Sequence, residues 1–338
     1  MEINNKKKLI QKSLQIIREI DLIFNEIYKK IDTIFIYNYT GYLTPKIKKQ
    51  LEKLRLELNH KLLFNAIKSI RDGEDFAYSS NENLLKKYLL NYNASSYIKK
   101  NLVKTGAKID IRYLSTKIWS YTGREFTMIE TVLQSGFTSK FSANSVKNEL
   151  VKFLNNPNAI SLNELRRLGI EKAGGEIAYR KLEKEIAKYK PGRGVYKSAK
   201  ANAKRLVVNE NNLAFRRADF KQMNKFPFVK GWKVQLSGQH SSPDMCDDLQ
   251  GDYPVKFQFT GWHVRCYCFA TAILATPEQA GKVVRGEAVN INNVLVLPKM
   301  AQGWIKDNAE TLNNYKTLPY WLDDNKKLIK NVTKKIKY

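Results

Sequence analysis

All three cysteines of the chain, Cys246, Cys266 and Cys268, and two of its three histidines, His240 and His263, fall between positions 240 and 268. Thiolate and imidazole groups are ligands for divalent ions, and three Cys with one His form a closed set of the structural zinc kind. Cys266-x-Cys268 reads as part of a strand, where period-two alternation places both thiols on one face. Cys246 lies 20 residues before Cys266, across the turn-forming Gly251-Asp252-Tyr253-Pro254, so a hairpin-like return brings it opposite the pair. The candidate metal ligands are therefore Cys246, His263, Cys266 and Cys268, with His240 as the other source of an imidazole. Because no CxxC pair is present, two other states stay open: an oxidised pair formed after release from the cell, and buried thiols packed in a small β core.

The same stretch carries Asp244, Asp247, Asp248 and Asp252 beside the two histidines. In a nuclease, His activates water near a carboxylate-bound metal ion. Ser-Pro-Asp and Asp-Asp-Leu are equally turn and N-cap chemistry, with Asp accepting from free backbone N–H groups. The tyrosine-recombinase box HxxR fails on spacing, because Arg265 follows His263 at the second position. The glycines of Pro191-Gly192-Arg193-Gly194 fit neither GxxxxGK[ST] nor GxGxxG and read as an interhelical turn. No complete catalytic constellation emerges, and the expectation is a protein without enzymatic activity.

Against 59 Lys and Arg stand 32 Asp and Glu in 338 residues, a formal charge of +27. A field of that size attracts polyanions, nucleic acid first among them. The densest basic stretch gives the candidate phosphate contacts Lys181, Lys184, Lys188, Arg193, Lys197, Lys200, Lys204 and Arg205, opposed locally by Glu183 and Glu185. Lys197, Lys200 and Lys204 are three to four residues apart and share a helix face, so they form a ridge able to follow a phosphate backbone; a solvated helix face carries the same pattern. No window approaches the roughly 18 apolar residues of a membrane span. Charges interrupt any apolar leader after Lys6-Lys7-Lys8, and an odd cysteine count argues against a disulfide framework. Synthesis in a reducing cytoplasm is the expectation.

The elements that must position these groups follow from hydrophobic periodicity. Ile10, Leu14, Ile17, Ile20, Phe24, Ile27 and Ile31 recur at helical spacing. Thr44-Pro45 starts a second helix, expected to end near Arg71-Asp72-Gly73. Further helical patterns cover 82–92, 109–120, 124–134 and 143–155, with a loop at Ser79-Ser80-Asn81, and a long helix runs from about Val195 to Met223. After Phe226-Pro227-Phe228 the pattern changes: GWKVQLSG and FQFTGWHVRCYCFATAIL are rich in aromatic and β-branched residues and read as short strands. The fold class is α+β overall, with a mainly helical N-terminal half and a small α+β C-terminal domain of short antiparallel strands. The expected segments are 1–160 (helical), 161–194 (basic helical linker), 195–280 (the domain with the Cys/His cluster) and 281–338 (an extension with one amphipathic helix and a basic tail).

The order His240-x-x-Pro243-Asp244-x-Cys246-Asp247-Asp248-Leu249-x-Gly251-x-Tyr253-Pro254, then Gly261-Trp262-His263-x-x-Cys266-x-Cys268, resembles the C-terminal domain of phage Mu F-like minor head proteins, also called phage head morphogenesis proteins. Arg205 and Glu210 stand where that family carries an Arg and a Glu on a helix ahead of a Trp-bearing strand, here Trp232. Leu297-Pro298, Trp304, Leu318-Pro319-Tyr320-Trp321 and Asn325 resemble the tail segment of versions from phages of Bacteroidetes. The resemblance covers about 195 to 325 and departs from the family pattern at Val264, where Pro is favoured, and at Tyr267, where Arg is common. It implies a minor virion component at the portal vertex or head interior. Its partners would be portal protein, capsid proteins and packaged viral DNA, and it would act in head assembly, DNA packaging or ejection without catalysis. The alternative expectation is a metal-dependent nucleic-acid enzyme or toxin carried in the virion.

Overall fold

The apolar stripe of the first helix packs as expected in its second half, where Ile20, Phe24, Ile27 and Ile31 are buried, but in its first half the buried apolar residues are Leu9 and Ile16, with Ile10 and Ile17 half-buried and Leu14 exposed. The computed structural model describes residues 2–37, 43–138, 148, 198–237, 243–315 and 318–337. Helix α1 spans Glu2–Tyr37, α2 Pro45–Tyr88, α3 Ser95–Asn101, α4 Ile111–Thr138 and α5 Ala199–Met223. Strands β1 (Val229–Gln235), β2 (Gly251–Pro254) and β3 (Phe269–Leu274) follow, with the one-turn helix α6 (Met245–Asp248) between β1 and β2. Helices α7 (Pro277–Val284), α8 (Lys299–Asp307), α9 (Ala309–Asn313), α10 (Tyr320–Asp324) and α11 (Lys326–Val332) complete the described order. The fold is α+β, helical in its N-terminal half, as the periodicity predicts. The expected helix over 143–155 and the basic linker 161–194 lie outside the described residues.

The chain divides into two units, each discontinuous in sequence and so not collinear with the four consecutive segments set out above. One comprises Met1–Leu14, Lys68–Ile109 and Val208–Tyr338; the other comprises Gln15–Ile67 and Asp110–Val207. In the second unit the Tyr28 hydroxyl donates to Glu125, whose other oxygen accepts from the Ala199 N–H at 3.0 Å. Burial pushes the Glu125 carboxyl above its ordinary range, opposed by these two donors and the charge of Lys200.

Helix α2 corrects an expectation. It does not stop at Arg71-Asp72-Gly73 or loop at Ser79-Ser80-Asn81 but runs unbroken to Tyr88. The residues that read as punctuation are used for packing. A Cβ on Gly73 would lie 2.7 Å from the Asn211 carbonyl oxygen, so Gly73 lets α5 approach closely, and the Asn211 amide donates to the Ser69 carbonyl beside it. Ser79 bonds back to Phe76 O within the helix, and Asn81 donates to Gln222 at 3.0 Å. Helix α4 likewise passes through Gly123, where a Cβ would meet Arg55 at 2.8 Å while that guanidinium stacks on Trp119 at 4.5 Å.

The three strands form one antiparallel sheet in the order β2-β1-β3, with Trp232 opposite Tyr253 on one side and Ala272 on the other. Trp232, Trp262 and Trp321 are all fully buried in the core of this unit, together with Tyr253, Phe226, Phe228 and Phe257. Each such side chain contributes on the order of 1.5–3 kcal/mol by leaving water. Of the stretch FQFTGWHVRCYCFATAIL only Phe269–Leu274 is strand, so Cys266 and Cys268, expected on a strand, precede β3 and do not belong to the ladder. The C-terminal extension holds several short helices in place of the one expected.

These glycine environments predict opposite outcomes for one chemical change. Gly73→Ala should lower stability by about 1–3 kcal/mol through overpacking. Gly303→Ala, in α8 with nothing within 4 Å of its Cβ position, should raise it by about 0.4–1 kcal/mol. Urea unfolding of the two variants measures both signs.

Candidate metal centre

The first cysteine is set by a capping box. Asp244 caps α6 by accepting from the Cys246 N–H at 2.7 Å, and Asp247 reaches back to the Asp244 N–H at 2.8 Å. Two of the carboxylates that could suggest catalysis thus serve the turn that aims Cys246 inward. Tyr253 donates its hydroxyl to Leu249 O at 2.7 Å, tying β2 to the end of that turn.

The second part of the site is an irregular loop. Gly261 has φ +100, and a Cβ there would stand 2.3 Å from the Arg216 guanidinium. Arg265 takes the left-handed φ of 61, and the Cys266 N–H closes a tight turn onto His263 O at 3.1 Å. These two left-handed positions stop the segment from continuing as a strand. Its backbone acceptors instead face a side chain: Arg216 donates to Thr260 O at 3.0 Å, Cys266 O at 2.6 Å and Cys268 O at 2.8 Å. Asn325 serves the neighbouring residue like a strand partner, accepting from Gln258 N–H at 2.7 Å and donating to Gln258 O at 2.9 Å. Trp262 fills the interior against Phe259 at 5.0 Å and Trp321 at 5.1 Å.

The loop and the cap bring all three cysteines together. Their sulfurs lie within 4.8 Å of one another, and each residue is buried. A tetrahedral ion with metal–sulfur bonds of about 2.3 Å needs donors about 3.8 Å apart, so the spacing fits a divalent ion. His263 Nε2 lies 3.2 Å from Cys246 Sγ, and His263 Nδ1 donates to Val264 O at 2.9 Å. That bond fixes the tautomer, leaving an Nε2 lone pair facing the Cys246 sulfur, as in metal-ligating histidines; of the four expected ligands the three cysteines form one group, and His263 groups with Cys246 and Asp244 instead. Asp244 Oδ2 is 3.5 Å from the same Nε2, and a second donor group of Asp244, Cys246 and His263 forms the exposed edge of the cluster. His240 lies outside the described residues.

Electrostatics single out Cys266. Hydrogen bonds from the Cys246 and Cys268 thiols, then the Arg216 charge and the Trp262 N–H, pull it well below the ordinary thiol range against the effect of burial. Cys246 is pushed up by its bonds to Cys266 and Cys268 and by burial. Cys268, lowered by its bond from Cys246, is raised to about 12 on balance by its bond to Cys266 and by burial. Three thiolates holding a divalent ion would carry a net charge of minus one with it.

Arg216 is the residue that motif reading misses. Its signal was its helical phase: Leu213, Arg216, Phe220 and Met223 recur at core spacing, and an arginine in that phase is out of place unless it has a buried partner. Arg205, the family-like position, is half-buried in the other unit, as is Lys200, 3.5 Å from Asp21, and Lys204, 2.7 Å from the same carboxylate. Two of the expected phosphate contacts thus have a carboxylate partner already. Lys181, Lys184, Lys188, Arg193 and Lys197 lie outside the described residues. No helix among the described residues is long and apolar enough to cross a membrane.

A cavity of about 10 Å³, room for about one water, is lined by Arg216, Asp219, Phe220, Trp232 and Phe259. Burial pushes Asp219 up to about 7, opposed by a bond from Asn81. A carboxyl raised on folding contributes stability that is complete in acid and lost as pH rises through its folded value. Asp219→Asn should therefore flatten the fall in unfolding midpoint between about pH 4 and about pH 7. For the cluster itself, Cys266→Ser should abolish uptake of a divalent ion by the purified chain, while His263→Ala, which keeps three sulfur donors, should weaken uptake without abolishing it; elemental analysis after dialysis reads both. Comparison with protein families, curated proteins and solved structures finds no match to this chain.

Proposed function

We propose that the chain is a structural minor head protein of a tailed bacteriophage, acting at the portal vertex or head interior, and that its Cys/His cluster is a zinc clasp. The observation that carries the reading is the burial of Cys246, Cys266 and Cys268 together within the motif that resembles the Mu F-like domain. Structural zinc sites are closed and use such donors, with His263 as the fourth. The cysteines are spent on joining an N-capped turn to a loop, and the nearby carboxylates Asp244 and Asp247 on capping that turn. Zinc, when bound, supplies the cross-link that a domain with three short strands otherwise lacks. The formal charge of +27 suits a protein lying against packaged DNA, bound through phosphate without sequence preference. Portal and capsid proteins are the other partners of this reading.

Mass spectrometry of purified virions and proheads should find the chain there in complex with portal protein; its absence from both would sink the head-protein reading. Elemental analysis should find about one zinc per chain, as expected of a single closed site. A zinc-free sample with freely titrating thiols would remove the clasp.

One feature favours a second reading. His263 and Asp244 have side chains 40% and 38% exposed, 3.5 Å apart, at the open edge of the cluster, where an imidazole could activate water for a metal-dependent nucleic-acid enzyme or toxin. That reading requires divalent-ion-dependent cleavage by the wild type and its loss in a folded His263→Ala variant. Wild-type protein that cuts no nucleic acid rules it out.

A further inference from the structure

Arg216 is a guanidinium buried in the core, where it lines one small cavity with the Asp219 carboxyl. Its guanidinium donates to three backbone carbonyls, Thr260 O, Cys266 O and Cys268 O, and stacks 5.0 Å from the Phe259 ring. Charge-assisted hydrogen bonds are among the strong ones and offset part of the cost of burying the ion. Neutral carbonyls can thus hold the group in place, but they do not neutralise it. Burial works against its charge, and the charges of Cys266, Cys268 and Cys246, when those sulfurs are thiolates, favour it. Two of its three carbonyl acceptors belong to those same cysteines, so the charge is fixed against the donors' own backbone.

We infer that Arg216 is the built-in counter-ion of the metal centre: three thiolates, a neutral imidazole and a divalent ion leave one net negative charge in the core, and the guanidinium cancels it. This rests on the zinc clasp proposed above. Arg216 acts on the ligands by positioning and charge, with a side-chain hydrogen bond to Cys266. A neutral residue there leaves an uncompensated anion beside Trp262 and Phe259, which favours releasing the ion. Gly261 belongs to the same device, because any Cβ at that position would occupy the guanidinium's place. The requirement also discriminates among ions: a monovalent ion on three thiolates would leave two negative charges against one positive.

The test uses the full chain, with zinc affinity measured by competition against a chromophoric chelator and folding checked by circular dichroism. Arg216→Lys keeps the charge and loses part of the hydrogen-bond fork; Arg216→Gln keeps some hydrogen bonding and loses the charge. The expected result is zinc affinity within about threefold of wild type for Arg216→Lys and a loss of about 10- to 100-fold for Arg216→Gln, the size usual for groups supporting a metal's ligands. Cobalt(II) substitution should show the thiolate charge-transfer band at wild-type intensity in the Lys variant. Equal affinity in the Gln variant and wild type would overturn the inference. So would a Lys variant weakened tenfold or more, a result that decides the matter even if the Gln variant does not fold. A wild-type chain that binds no zinc would instead remove the clasp, a separate failure.

Discussion

A guanidinium held away from water by three carbonyl oxygens is the constraint on which the C-terminal architecture depends. Arg216 reaches from α5 into the loop before β3 and takes up acceptors that a neighbouring strand would otherwise need to satisfy. The loop can therefore leave the sheet, turn twice through left-handed backbone, and still bury its peptide groups without penalty. Burying the cysteines follows from that arrangement.

The sheet itself is small, and much of the unit's cohesion lies in aromatic packing around it. Tyr253 packs on Phe257, and Phe257, Phe259 and Trp321 all pack on Trp262, with the Trp262 and Trp321 rings at 89° to one another. Rings are stiff, so a displacement of the loop cannot be absorbed locally as it would be among methionines. The cluster of thiols sits against this stiff wall with its His263 and Asp244 edge toward solvent, which leaves one side of the donor set accessible while the other is fixed.

Much of this was legible in the residues. Helical stripes at 3.6 spacing gave α1 and α5, Thr44-Pro45 gave the start of α2, and the crowding of Cys and His gave the candidate centre. What escaped reading is instructive in physical terms. Gly73, Ser79 and Asn81 look like a helix end because local preference treats them as breakers, yet close approach of Asn211 and a bond to Gln222 use those same side chains as contacts. Cys266 and Cys268 keep the alternation of a strand, but pairing partners cannot be read from alternation, and here the partners are side chains. Arg216 was hidden because a lone arginine in a basic chain carries no motif; only its place on the apolar face of α5 marks it. The lysine ridge failed to anticipate Asp21, which is remote in sequence from Lys200 and Lys204.

Asn325 imposes an order on events. The backbone of Gln258 finds both its donor and its acceptor partner in an amide 67 residues later, and the Cys266 and Cys268 carbonyls depend on an arginine some 50 residues earlier. In chain order Arg216 is made before the cysteines whose carbonyls it holds, and Asn325 after the loop it pairs with. An ion captured by the thiols in that interval would organise the loop before the final helices are made.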